Sequence, residues 1–109
     1  MTKVEFFDQD GRISGFTVSG HSGYGEEGTD IVCAAVSTAV QFAECTITEV
    51  LGNRVKTKVN EEEARITLTL PNVCEDEDAV QAVLTGMMLT LCELRDQYPE
   101  YIEVMEVQS

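Results

Sequence analysis

The sequence predicts an α+β fold: a single small domain in which one sheet packs against two helices, with elements in the order ββαββαβ. Three observations carry this. Two segments place apolar residues at steps of three and four, the period of a helix with one buried face. Five shorter segments read as strands, several with alternating apolar and polar residues, and turn residues separate them. No linker or internal repeat interrupts the 109 residues, which suit one domain, 1–109. The order of strands across the sheet is not set by these patterns.

Residues 3–8 read as a first strand and 12–19 as its return, joined by a turn at Asp8-Gln9-Asp10-Gly11. The apolar phase of the second strand slips at Ser14-Gly15, which predicts a bulge. Val32, Val36, Ala39, Val40, Ala43, Ile47, Val50 and Leu51 form the stripe of a first helix. Its expected N-cap is Thr29 or Asp30, and Gly52-Asn53 its stop. Val55, Thr57 and Val59 then alternate with basic residues, as do Ile66, Leu68 and Leu70 with polar ones, predicting two half-buried strands around a turn at 60–63. The second helix follows Pro71. Acids at 75–78 suit its N-terminal dipole, its stripe is Val80, Leu84, Met87, Leu91 and Leu94, and Pro99 ends it. Residues 101–107 form the last strand.

Composition narrows the function. Twenty acids against seven bases give a formal charge of −13, which disfavours direct nucleic-acid binding and suits a basic partner. No run of about 18 apolar residues and no signal peptide is evident, so no membrane span and a cytoplasmic location are expected. Cys33, Cys45, Cys74 and Cys92 form no Cys-x-x-Cys pair, and there is one histidine. No metal site, no cofactor and no structural disulfide is expected, and each thiol reads by default as reduced and buried.

One stretch departs from that default: Gly-His-Ser-Gly-Tyr-Gly-Glu-Glu-Gly-Thr-Asp-Ile-Val-Cys, residues 20–33. It holds His21, the sole imidazole, twelve positions before Cys33, across a loop with Gly20, Gly23, Gly25 and Gly28. A cysteine in the first turn of a helix meets unpaired amides and a field that favours thiolate. The amides of Cys33 and Ala34 are candidates to hold an oxyanion. His21 is the one side chain suited to general acid–base work near neutral pH without a large shift, and a Cys/His pair is a minimal nucleophilic arrangement. Cys33, Ser37 and Val40 share one side of the helix. Asp30 has two competing roles, capping the helix or fixing the tautomer of His21. Cys45, rotated from Cys33 by about a third of a turn, reads as structural, as do Cys74 and Cys92. Glycine-rich loops also bind phosphate, but Glu26, Glu27 and Asp30 would repel one and no Walker lysine follows.

The run Gly-His followed by a glycine-containing loop and Gly-Thr-Asp-Ile-Val-Cys-Ala-Ala-Val-Ser resembles the signature of the bacterial ribosomal-processing cysteine protease family, often called Prp. Leu-Arg-Asp-Gln-Tyr-Pro-Glu-Tyr-Ile-Glu-Val resembles its C-terminal helix-to-strand junction, and the likeness covers essentially the whole chain. Ser22 stands where many members have alanine. The resemblance implies an α+β homodimer and a cysteine endopeptidase that removes the N-terminal extension of a large-subunit ribosomal protein. Position by position, it makes Cys33 the nucleophile and His21 the general base, with Asp30 and Ser37 at motif positions of less defined role. The alternative is a noncatalytic acidic module that binds a basic ribosomal protein or a ribosome assembly factor, with Cys33 and His21 only shaping a pocket.

Overall fold

A computed structural model describes the backbone of residues 1–20 and 27–109, and the side chains of 1–20 and 31–109. Strands β1 (Thr2–Gln9) and β2 (Arg12–Ser19) form the first hairpin, helix α1 spans Glu27–Cys45, β3 (Lys56–Asn60) and β4 (Arg65–Thr69) form a second hairpin, α2 spans Glu77–Gln97, and β5 is Ile102–Gln108. The sheet order is β3-β4-β2-β1-β5. All neighbours run antiparallel except β1 and β5, which are parallel. The predicted order of elements is therefore the observed one, and the sheet is mixed.

The slip anticipated in β2 is a bulge. Phe7 pairs with Gly15 and Asp8 with Ile13, so Ser14 is the extra residue. Its carbonyl is thereby free to accept the Leu70 amide at 2.9 Å, which holds the end of β4 against β2. Gly15 serves the same junction. A Cβ there would strike the Leu68 carbonyl oxygen, so only glycine lets β4 approach this closely.

One face of the sheet is covered by both helices. Val4 and Phe6 of β1, Phe16 of β2 and Leu68 of β4 meet Val32, Val36, Ala43 and Ile47 from the first helical segment and Val80, Leu84 and Leu91 from α2. Full burial of each large apolar side chain contributes roughly 1.5–3 kcal/mol. The Phe6 and Phe16 rings lie 5.9 Å apart at 48°, a tilted arrangement at the centre of this layer. By length and composition the stretch Ile31–Val50 would suffice to cross a membrane, contrary to what the absence of a long apolar run suggested. Here its stripe is spent on the sheet, as in the core helix of a globular domain.

Three local expectations are corrected. The first helix starts at Glu27, so Thr29 and Asp30 lie inside it and neither is its N-cap. It ends in a π-helical turn, Thr46–Val50, before Gly52 reverses the chain. Strand β3 is exposed along its whole length rather than half-buried, because it lies at the edge of the sheet and, among the described residues, α1 touches it only through the Glu44 side chain. Cys45 is exposed, whereas Cys74 is buried and Cys92 partly so; all four cysteines are free.

Two polar clusters fasten the helices at the same end of the molecule. Asn53 is buried; its Nδ2 donates to the carbonyls of Ile47 (3.4 Å) and Glu75 (3.1 Å), and its Oδ1 accepts the Glu75 amide (2.7 Å). This joins the end of α1 to the entrance of α2, where Asp76 caps by accepting the Ala79 amide at 3.4 Å. Beside it, Arg12 pairs with Glu77, donates to the Pro71 carbonyl at 2.8 Å and reaches the Cys74 sulfur at 3.5 Å. Gln81 grips β2 from α2 by bonding both the amide (2.8 Å) and the carbonyl (2.9 Å) of Ile13.

Gly15→Ala is expected to lower stability by about 1–3 kcal/mol through overpacking against backbone, and Asn53→Ala by a comparable roughly 1–3 kcal/mol through orphaned buried groups. Shifts in the urea midpoint at constant slope would check both. The Cys74 thiol supplies a pH dependence. Burial, reinforced by hydrogen bonding to and the charge of Glu77, pushes its pKa up. The folded state then keeps a proton that the unfolded chain loses, so stability falls as pH rises above the ordinary thiol range. Cys74→Ala is expected to flatten that alkaline decline, measured as midpoint against pH.

Candidate active site

The site is built on the N-terminal half of α1. Val32 and Val36 sink into the core and fix the rotation of the helix about its axis. At about 100° per residue, this leaves Cys33 roughly 80° away from the centre of the buried stripe. Cys33 is half-buried, and Ser37, one turn on, is exposed. Val40 on the same side is buried at their base. The thiol thus sits on a flank of the helix, neither in the core nor fully in solvent. Ala34 is exposed, and its carbonyl is shared with the Thr38 hydroxyl, which donates to it at 2.8 Å.

Which flank this is can be read from one contact. Glu44 lies eleven residues beyond Cys33, so the two share a side to within about 20°. Glu44 accepts a hydrogen bond from the Thr57 hydroxyl of β3 at 3.4 Å. The Cys33 flank therefore faces the β3 side of the sheet. The opposite flank, with Ala35, Ala39 and Phe42, faces α2 across a shallow apolar groove.

The electrostatic argument for Cys33 changes with the helix start. Cys33 and Ala34 are the seventh and eighth residues of α1, beyond the four amides that a helix leaves unpaired. In this conformation their N–H groups belong to the helical ladder, and the expected oxyanion site at those two amides is not formed. Asp30 is likewise released from the capping role, which removes one of its two competing tasks.

Gly20 closes β2 with φ +93°, and a Cβ there would strike the Met1 carbonyl oxygen. The chain must be glycine at this point to leave the sheet beside the start of β1. His21, Gly23 and Gly25 lie outside the described residues, as does Glu26. Gly28 falls within α1 rather than in the preceding loop. The structure therefore brings Cys33 and Ser37 together on one flank and does not address the distance from Cys33 to His21. Cys45 and Cys92 lie elsewhere on their helices, and Cys74 is held in the Arg12–Glu77 cluster at the end of the domain where α1 terminates. Sequence reading missed that cluster because Arg12 lies 62 residues from Cys74 and 65 from Glu77.

Comparison with known proteins agrees with this geometry. The family model for the cysteine protease Prp matches residues 1–103. A ribosomal processing cysteine protease Prp from Staphylococcus aureus is 26% identical over 98 residues, covering 89% of this chain and 90% of that protein. The S. aureus protease bound to a covalently linked product peptide superposes with a TM-score of 0.83 at 24% identity, covering 98% of this chain and all (100%) of that one. A Streptococcus mutans structure gives a TM-score of 0.87 at 23% identity, covering 100% of this chain and 96% of that one. With a match over nearly its whole length, and with a free thiol on the sheet-facing flank of α1 within the signature motif, the chain belongs to the Prp family of cysteine proteases.

Proposed function

We propose that this protease is an endopeptidase that removes the N-terminal extension of a large-subunit ribosomal protein, with Cys33 as nucleophile and His21 as general base. The observation that carries the proposal is the placement of Cys33. It is a half-buried free thiol on a flank of α1 that the core does not use, inside the Asp-Ile-Val-Cys-Ala-Ala-Val-Ser motif. The covalent product peptide in the S. aureus relative supports a covalent route. Membership of a protease family sets aside the noncatalytic binding module.

The chemistry follows from the two groups. His21 takes the Cys33 thiol proton, and the sulfur adds to the scissile carbonyl. The tetrahedral intermediate collapses as His21 protonates the departing amine, leaving a thioester on Cys33. His21 then removes a proton from water, the hydroxide adds to the thioester carbonyl, and the thiol leaves with that proton restored. Donors for the oxyanion come from outside the α1 ladder. Ser37, exposed one turn from Cys33, is assigned to contacting the peptide. Asp30, freed from capping, is assigned to orienting His21. The acidic balance of the chain, −13, favours a substrate whose mature portion is basic. A homodimer acting in the cytoplasm completes the reading, on the strength of the family likeness.

Cys33→Ser is expected to abolish cleavage of an N-terminally extended ribosomal protein, followed by mass spectrometry, while leaving the thermal midpoint within a few degrees. His21→Ala is expected to slow the reaction by roughly 10²–10⁴-fold. Cleavage near the wild-type rate in either variant would contradict the dyad. Asp30→Asn gives a finer test: if Asp30 orients His21, kcat falls with no change in stability.

A further inference from the structure

The outer surface between the two helices is apolar and unfilled. A groove of about 540 Å³ is lined by Ala35, Ala39 and Phe42 of α1 and by Ala82, Gly86 and Thr90 of α2. Past Thr90 it continues as a narrower space of about 180 Å³ that reaches Leu94 and Gln97. Phe42 is 66% exposed on one wall, and Leu89, three residues beyond Gly86 on α2, is 58% exposed. From Ala82 to Gln97 the groove runs about 22 Å along the helix. Large apolar side chains left open beside an apolar groove mark a docking surface.

The floor of the groove suits a helix. Gly86 lies in the middle of α2, where a glycine weakens a helix relative to alanine. Nothing inside the domain calls for it, since a Cβ at this position would meet no described atom within 4 Å. Ala82 and Thr90, four residues to either side, keep the same row low. A low row with bare backbone at its centre lets another helix lay its ridge into the groove.

Charge decides which helix. No lysine or arginine occurs between Arg12 and Arg54, so α1 and its π-helical end carry no base. The sole base of α2 is Arg95, which is bonded to Asp96 at 3.2 Å. Asp78 stands one turn before Ala82, and Glu93 lines the narrow continuation. Four of the chain's seven bases sit instead at 54–65, on and around the β3–β4 hairpin. The helical layer is thus apolar along the groove and acidic around it. Two copies meeting across it would set these acids against themselves, whereas a cationic helix would pair with them.

We propose that the α1–α2 groove docks a cationic amphipathic helix of a partner protein, by laying its apolar stripe on Ala39, Phe42 and Gly86 with its lysines or arginines toward Asp78 and Glu93. The occupant is not the segment being cut. The groove lies on the flank of α1 opposite Cys33, so a partner held there leaves the thiol open and stays bound through turnover.

Fluorescence anisotropy with the full chain tests this. The probes are a labelled Leu/Lys peptide of about 15 residues that forms an amphipathic helix, and a peptide of the same composition whose order gives no apolar face. The helical peptide is expected to bind at least about tenfold more tightly near physiological salt. Gly86→Gln raises the floor and Phe42→Ser removes a wall, and each is expected to weaken that binding by about tenfold. Both positions are exposed, so thermal midpoints stay near wild type. Asp78→Asn with Glu93→Gln is expected to reduce the salt dependence. Equal binding of the two peptides, or indifference to Gly86→Gln and Phe42→Ser, overturns the site and leaves only diffuse attraction to an acidic protein. A wild-type dimer that Gly86→Gln dissociates in sedimentation also overturns it, since a second copy would then fill the groove. So does competitive inhibition of cleavage that persists in Gly86→Gln, which would place the peptide at Cys33. Binding is read without cleavage, so failure of the Cys33–His21 assignment leaves this result standing.

Discussion

The seating of α1 on the sheet is the constraint from which the rest of the molecule follows. Val32, Val36, Ala43 and Ile47 must face Phe6, Phe16 and Leu68, because no other surface in the domain buries them. That requirement fixes the rotation of the helix, and with it the directions of residues that are not apolar. Cys33 and Ser37 are carried to the β3 flank and Ala35 and Ala39 to the α2 flank. A helix turned by one residue position, about 100°, would bury the thiol or point it away from the strands. The proposed nucleophile is therefore aimed by core packing that takes no part in its chemistry.

Long-range polar contacts hold the elements together at both ends of the domain. At the end where α1 terminates, Asn53, Arg12, Glu77 and Gln81 bind helix ends and strands together through hydrogen bonds that join distant parts of the chain. At the end where α1 begins, Thr2 donates its amide to the Tyr101 carbonyl at 2.9 Å, Gly20 fits against Met1, and the Thr17 and Thr67 hydroxyls share a hydrogen bond at 3.0 Å.

The exposure of β3 has a related origin. Helix α2 packs on β5 and β2, toward one edge of the sheet, and β3 is the opposite edge. That strand is exposed along its length. Here the strand retains Val59 opposite Ile66 while placing Lys56 and Lys58 on the other face. Lysines on an edge strand also discourage uncontrolled pairing of sheets.

The sequence by itself determined the elements and the chemical identity of the site. Periodicity located both helices and all five strands, since burying one face imposes steps of three and four on a helix and of two on a strand. The slip at Ser14-Gly15 announced the bulge, the spacing of His21 and Cys33 singled out candidate reactive residues, and the resemblance of the surrounding motif pointed to the protease family. Helix ends were less legible. A cap signal at Thr29 and Asp30 is local, whereas the extension of α1 back to Glu27 is a property of the folded chain. Only the tertiary structure decided that β3 is an exposed edge, that Cys45 faces solvent, and that Asn53 and the Arg12–Glu77–Cys74 cluster tie the helices down. These depend on which strands become neighbours and on how far two helices can reach across them, and no single segment carries that information.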